Sequence, residues 1–186
     1  MPRPSFGHLP ARSDVDGKGH TAVAELTNME TKLGEVMGLA MAAQTATDKV
    51  RKLLEDDQQQ LAGMLERMNA EAAETERRCM SIVDTLEGKK TAIQEEASAT
   101  KRKGADMMKI YLDPDSDALD GFEFLTMAEA GEVGHWKVLK AMTRSISDEE
   151  VAALCEWAIP IQERHFTDVN AASEQLAAAE DPAAVS

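Results

Sequence analysis

Aromatic residues make up only 4% of this 186-residue chain, and β-branched residues are also sparse. The side chains that fill pleated surfaces are therefore too few for a sizeable sheet. Cysteine is nearly absent: Cys79 and Cys155 lie far apart, each in an apolar helical context, and read as reduced core residues. No apolar run approaches the roughly 20 residues that cross a bilayer, and the Pro- and Gly-rich start has no apolar core of the secretory kind. A cytoplasmic location is the expectation that follows. Positive charge is also in short supply, with 20 basic against 34 acidic residues and a formal net charge of -14. Such a surface repels phosphate backbones and anionic lipid, so neither nucleic acid nor membrane is expected as a partner. It would attract cations, but a solvated acidic face explains the balance equally well. There is no glycine-rich phosphate loop and no Ser or Cys beside a base in a recognisable turn, so ordinary nucleotide or hydrolase chemistry is not expected.

Ala, Leu and Met are plentiful, and with Glu, Gln and Lys they are strong helix formers, so the expected class is all-α. The length suits one domain. Residues 1–18, with Pro2, Pro4, Gly7, Pro10 and Gly17, are expected to form a flexible arm, residues 19–180 a bundle and residues 181–186 a frayed tail. A first helix is expected over 19–44, on the spacing of Val23, Leu26, Leu33, Met37 and Ala40. A second is expected over 47–88 with Thr47 as N-cap, although a turn near Asp56-Asp57 fits as well. Residues 89–111 read as a crossover with a short helix, stopped by Asp113-Pro114-Asp115-Ser116-Asp117. A third helix follows over 118–143, and a fourth over 148–179 from a capping box of Ser147 and Glu150. Two helical hairpins joined by a long crossover make an antiparallel four-helix bundle, an architecture that hosts metal sites in its core.

Polar residues interrupt two of the apolar seams. On the third helix the seam runs Phe122, Leu125, Glu129, Glu132, Trp136 and Leu139, at alternating steps of three and four. His135 lies on the edge of the same face. On the fourth helix it runs Val151, Cys155, Ala158, Gln162, His165, Val169 and Ala172. A tight turn between these helices brings the two interruptions to the same level. Burying an uncompensated carboxylate costs several kcal/mol, and the only nearby base, Arg164, is expected to point away. A bound cation is the favoured partner, and a wet polar core is the alternative. On the first helix Glu30 falls on the seam between Leu26 and Leu33. On the second, Glu71 and Glu74 form a Glu-x-x-Glu pair beside Met68 and Ala72.

Several of these features resemble the YciE/YciF-type ferritin-like proteins. They are the Asp-Pro-Asp at 113–115, the Glu129 and Glu132 pair followed by Trp136 and Leu139, the helix opening at Asp148-Glu149-Glu150-Val151, and the segment from Glu71 to Gly88. The resemblance covers about two thirds of the chain. It implies a ferritin-like fold in which Glu30, Glu71 with Glu74 in a histidine's place, Glu132 supported by Glu129, and Gln162 with His165 hold metal, as one ion or two. Gln162 departs from the family pattern by replacing a carboxylate, and His135 adds an imidazole that the pattern lacks. Carboxylates with one or two imidazoles suit Fe or Mn, and Zn accepts the same donors. The activity implied is oxidation of Fe(II) by O2 or peroxide in stress protection, which would make the protein a di-iron or di-manganese oxidoreductase. The competing expectation is a helical binding or assembly module without metal, its long helices packing on another copy as a homodimer or higher homo-oligomer.

Overall fold

The computed structural model describes residues 24–145 and 148–183. The expected arm, the first five residues of the expected first helix, and Ser147 lie outside them. The described residues form five α-helices and no strand: α1 (Asn28–Arg51), α2 (Gln59–Val83), α3 (Lys90–Tyr111), α4 (Ala118–Thr143) and α5 (Glu149–Ala177).

Local chemistry sets the helix starts. Thr27 caps α1 through a reciprocal box, its Oγ1 accepting from the Glu30 amide at 3.2 Å while Glu30 Oε2 accepts from the Thr27 amide at 2.7 Å. Residues 24–27 are accordingly not helical, so the helix begins later than expected. Asp117 and Asp120 build the same box at the start of α4. At α5 the cap is Asp148, whose side chain accepts from the Val151 amide at 3.0 Å. Each box satisfies amide donors that a helix start leaves orphaned.

Two expectations need correcting. Thr47 starts no helix: it is buried inside α1, its hydroxyl donating to the Ala43 carbonyl at 2.8 Å and accepting from Asn69 at 2.9 Å. With no Gly or Pro to stop it, α1 runs on to Arg51, and the turn falls around Asp56-Asp57. The crossover is not a short helix either. It is α3, 22 residues long, packed along α1.

Glycine makes that packing possible. A Cβ at Gly38 would lie 2.3 Å from the Ala97 carbonyl oxygen and 2.7 Å from the Thr100 Cβ, and one at Gly34 would lie 3.0 Å from the Ile93 carbonyl oxygen. The seam of α3, spaced Ile93, Ala97, Thr100 and Gly104, therefore lies almost against the backbone of α1.

Helices α1, α2, α5 and α4 pack in a ring of neighbours. Cross-helix pairs fix their directions. Arg51 meets Glu66 and Gln44 meets Glu76 between α1 and α2. Between α2 and α5, Arg67 meets Asp168 and Arg78 stacks on Trp157. Lys140 meets Glu156 and Thr126 meets Ser173 between α4 and α5, while between α1 and α4 Glu35 meets His135 and Val50 lies against Gly121. Each adjacent pair is antiparallel.

The core divides into two apolar clusters. One contains Leu33, Met37, Cys79, Ile93, Trp136, Leu139 and Cys155, and the other Val50, Leu65, Met68, Phe122, Leu125 and Val169. Along α4 the residues between them are Glu129 and Glu132; along α5 they are Gln162 and His165, all four buried. At the corresponding stretch of α2 stand small side chains, Ala72 and Thr75. A polar layer thus crosses the bundle between two apolar ends.

Candidate functional site

The heptad spacing of α4 and α5 places Glu129, Glu132, Gln162 and His165 on facing inner surfaces, each no more than 3% exposed. With its amide nitrogen turned to the carboxylates, the orientation that satisfies both groups, Gln162 donates to Oε2 of Glu129 at 3.0 Å and to Oε2 of Glu132 at 3.2 Å. His165 bridges outward. Its Nδ1 lies 3.7 Å from Glu129 Oε2 and its Nε2 lies 2.6 Å from Glu71 Oε2 on α2. The other oxygen of Glu71 receives Arg164 Nη2 at 2.5 Å. Arg164 therefore does not simply point away. Its exposed head folds back onto the carboxylate that His165 also uses.

The electrostatics follow from this geometry. Burial raises the Glu132 carboxyl well above the ordinary value of 4.5, and the neighbouring Glu129 charge adds to the effect. For His165 burial works the other way, but the charge of Glu129 and the charge and hydrogen bond of Glu71 prevail and lift it above 6.5. Glu71 is lowered despite partial burial, because His165 and Arg164 hold its charged form. The layer thus favours the protonated form of Glu132 and the imidazolium form of His165, with the Arg164 guanidinium set against Glu71.

Linkage gives the sign of the pH response. The His165 contribution to stability is complete below its unfolded value and is lost as pH rises through its raised folded value. Glu132 acts in the same direction, since the unfolded chain releases its proton first. The Glu71 contribution is lost only as pH falls through its lowered value. Chelator-treated protein should therefore melt at higher temperature near pH ~5.5 than near pH ~8, and Glu132→Gln should flatten that slope. Thermal melts across this range check it, and a slope of opposite sign would contradict the assignment.

Three residues picked out in the sequence stand outside the layer. Glu30 is committed to the α1 cap and lies 3.5 Å from Lys89 Nζ, because the three-residue step from Thr27 is a capping spacing as well as a seam spacing. Glu74 accepts from Arg77 Nε at 2.7 Å and Arg78 Nε at 2.6 Å, and these two arginines lower its carboxyl to about 2. Three residues past Glu71 the helix has turned by about 60° short of a full revolution, which leaves Glu74 with Arg77 and Arg78 instead of His165. His135, the same step past Glu132, is partly exposed. Its Nδ1 lies 3.2 Å from Glu35 Oε2 and 3.5 Å from Lys32 Nζ.

The structure therefore brings Glu71, Glu129, Glu132, Gln162 and His165 together and leaves Glu30, Glu74 and His135 apart. The sequence reading missed the part played by Arg164 and the contribution of α3, whose signal was the small-residue seam facing Gly34 and Gly38. Among the described residues no three His, Cys, Asp or Glu side chains already form an ion-holding group; His165 and Glu71 face each other instead. No helix among them is long and apolar enough to cross a membrane. Comparison of the chain with protein-family models, curated proteins and solved structures finds no match.

Proposed function

We propose that the chain is a ferritin-like metal-binding protein that takes a single Fe or Mn ion into the polar layer, held by Glu71, Glu129, Glu132 and His165. The observation that carries this reading is the placement of two almost fully buried carboxylates, an imidazole and a third carboxylate at one level of a helical bundle. Buried acids in that number are costly unless protons or a cation compensate them. Oxygen-rich donors with one imidazole suit Fe(II) or Mn(II). Gln162, bonded to both α4 carboxylates, positions them rather than adding charge. The antiparallel order of neighbours, with α3 linking the two hairpins, is compatible with the ferritin-like arrangement.

One ion is proposed rather than two because Glu30 and Glu74, the ligands expected on α1 and beside Glu71, are engaged elsewhere. Binding would compete with the proton on Glu132 and free His165 from its imidazolium form, so it should release protons. A bound iron would supply one-electron chemistry towards O2 or peroxide, the activity that the family resemblance implies.

The test is elemental analysis of protein purified without added metal, with melting temperature measured on anaerobic Fe(II) or Mn(II) addition. The expected result is a thermal rise at saturating ion that His165→Ala abolishes. Less than about 0.2 equivalents of any transition metal together with no rise would sink the reading. It would favour the second reading, a metal-free helical module. That reading draws on the self-compensated layer and on the exposed Met107, Ile110 and Tyr111 of α3.

A further inference from the structure

A cavity of about 240 Å³ opens between α1, α3 and α4. Its walls are almost wholly apolar, with Leu39 and Ala43 from α1, Met107 and Met108 from α3, and Phe124 and Leu125 from α4. Two features make it more than a packing gap. Glu129 and Glu132, only 2% and 3% exposed, also line it, so its deep end is polar. Met107, 42% exposed, stands at the outer part with His135 and Gly131, so the space is reachable from outside. The contacts of Gln162 and His165 with the two acids use Oε2 of each and engage neither Oε1.

We infer that this cavity binds a small, uncharged, largely apolar molecule bearing one hydroxyl group at its inner end, a phenol or a short alcohol. The size follows from volume, since an apolar cavity of about 150 Å³ accommodates benzene, and the larger space here suits about nine or ten non-hydrogen atoms. The class follows from the lining. Two carboxyl groups at the closed end reject an anion, and a metal ion in the cavity itself would find no donors on the apolar walls beyond those two groups. A neutral hydroxyl can donate to a carboxyl oxygen there while its hydrocarbon body fills the walls.

Gly131 provides the control. It lines the cavity, yet a Cβ built there meets nothing within 4 Å, so Gly131→Leu can occupy the opening without straining the fold. It also replaces a helical glycine with a better helix former.

The experiment is calorimetric titration of chelator-treated protein with 4-ethylphenol and, separately, 4-ethyltoluene, which has the same shape without the hydroxyl. The inference expects 4-ethylphenol to bind below ~1 mM and 4-ethyltoluene at least about tenfold more weakly. Gly131→Leu should lose the phenol while melting no lower than the parent. Glu132→Leu, which leaves Glu129 as the one carboxyl acceptor, should narrow the preference between the two compounds. Absence of 4-ethylphenol binding, equal affinity for both, or unchanged binding by a folded Gly131→Leu would each overturn the inference. So would a dimer, seen by sedimentation, that buries the opening and admits neither compound. Metal-free protein is used throughout, so failure here leaves the ion-binding proposal standing, and failure of that proposal leaves this one standing.

Discussion

Gly38→Ala lowers the unfolding free energy by about 2 kcal/mol, although alanine is the better helix former by up to about 1 kcal/mol. The reason is geometric. The new methyl group would stand 2.3 Å from the carbonyl oxygen of Ala97 and 3.0 Å from its carbonyl carbon, and backbone cannot rotate aside as a flexible side chain can. Either α3 moves outward along its length or the two helices separate locally, and both lose close contact. Gly63→Ala is the matched control, since Gly63 lies on an exposed face of α2 and an added Cβ meets nothing within 4 Å. It should gain up to about 1 kcal/mol. Urea unfolding of the two variants checks the pair. If Gly38→Ala proves as stable as Gly63→Ala, α3 is not seated on α1 as described.

Glu129→Leu destabilises the chelator-treated protein by about 3 kcal/mol, whereas Glu132→Leu leaves it unchanged or more stable by about 1 kcal/mol. The residues are one helical turn apart and equally buried, so composition and burial do not predict the difference. Glu129 compensates the His165 imidazolium and also accepts from Gln162. Its loss leaves a buried cation with one carboxylate fewer and a donor with one acceptor fewer. Glu132 bonds to Gln162 and is pushed towards its neutral form by burial, so replacing it with a hydrocarbon of similar volume removes a desolvated polar group and breaks no ion pair. Both variants should lose the response to Fe(II) or Mn(II). Stability and ion binding are thus expected to separate at Glu132, as happens where a polar site is kept for function. Equal losses of stability at the two positions would refute this assignment of charges.

The inner faces of α4 and α5 were legible because their interruptions stand out against large apolar neighbours. A glutamate pair between Leu125 and Trp136, or Gln and His between Ala158 and Val169, breaks an otherwise continuous seam. Where the neighbours are small, that contrast vanishes. Between Ile93 and Met108 the inner face of α3 is Ala97, Thr100 and the half-buried Gly104, whose packing depends on close backbone approach rather than hydrophobic bulk, so its periodicity is faint over those turns. Glu30 and Glu74 mislead for a different reason. Glu30 reads as a seam residue from its spacing to Leu26 and Leu33, and Glu74 from its step past Glu71, but these positions serve equally for a cap on Thr27 and for a surface pair with Arg77 and Arg78. The contact of Arg164 with Glu71 joins residues far apart in sequence and depends on how α2 packs against α5, which spacing along one helix does not encode.

Anomalous diffraction from crystals soaked in Mn(II) tests the central claim most directly. A single strong peak lying between Glu71, Glu129, Glu132 and His165, with His165 turned from Glu71 towards the ion, is the predicted result. A layer with no peak, its His165 still paired to Glu71, would contradict it.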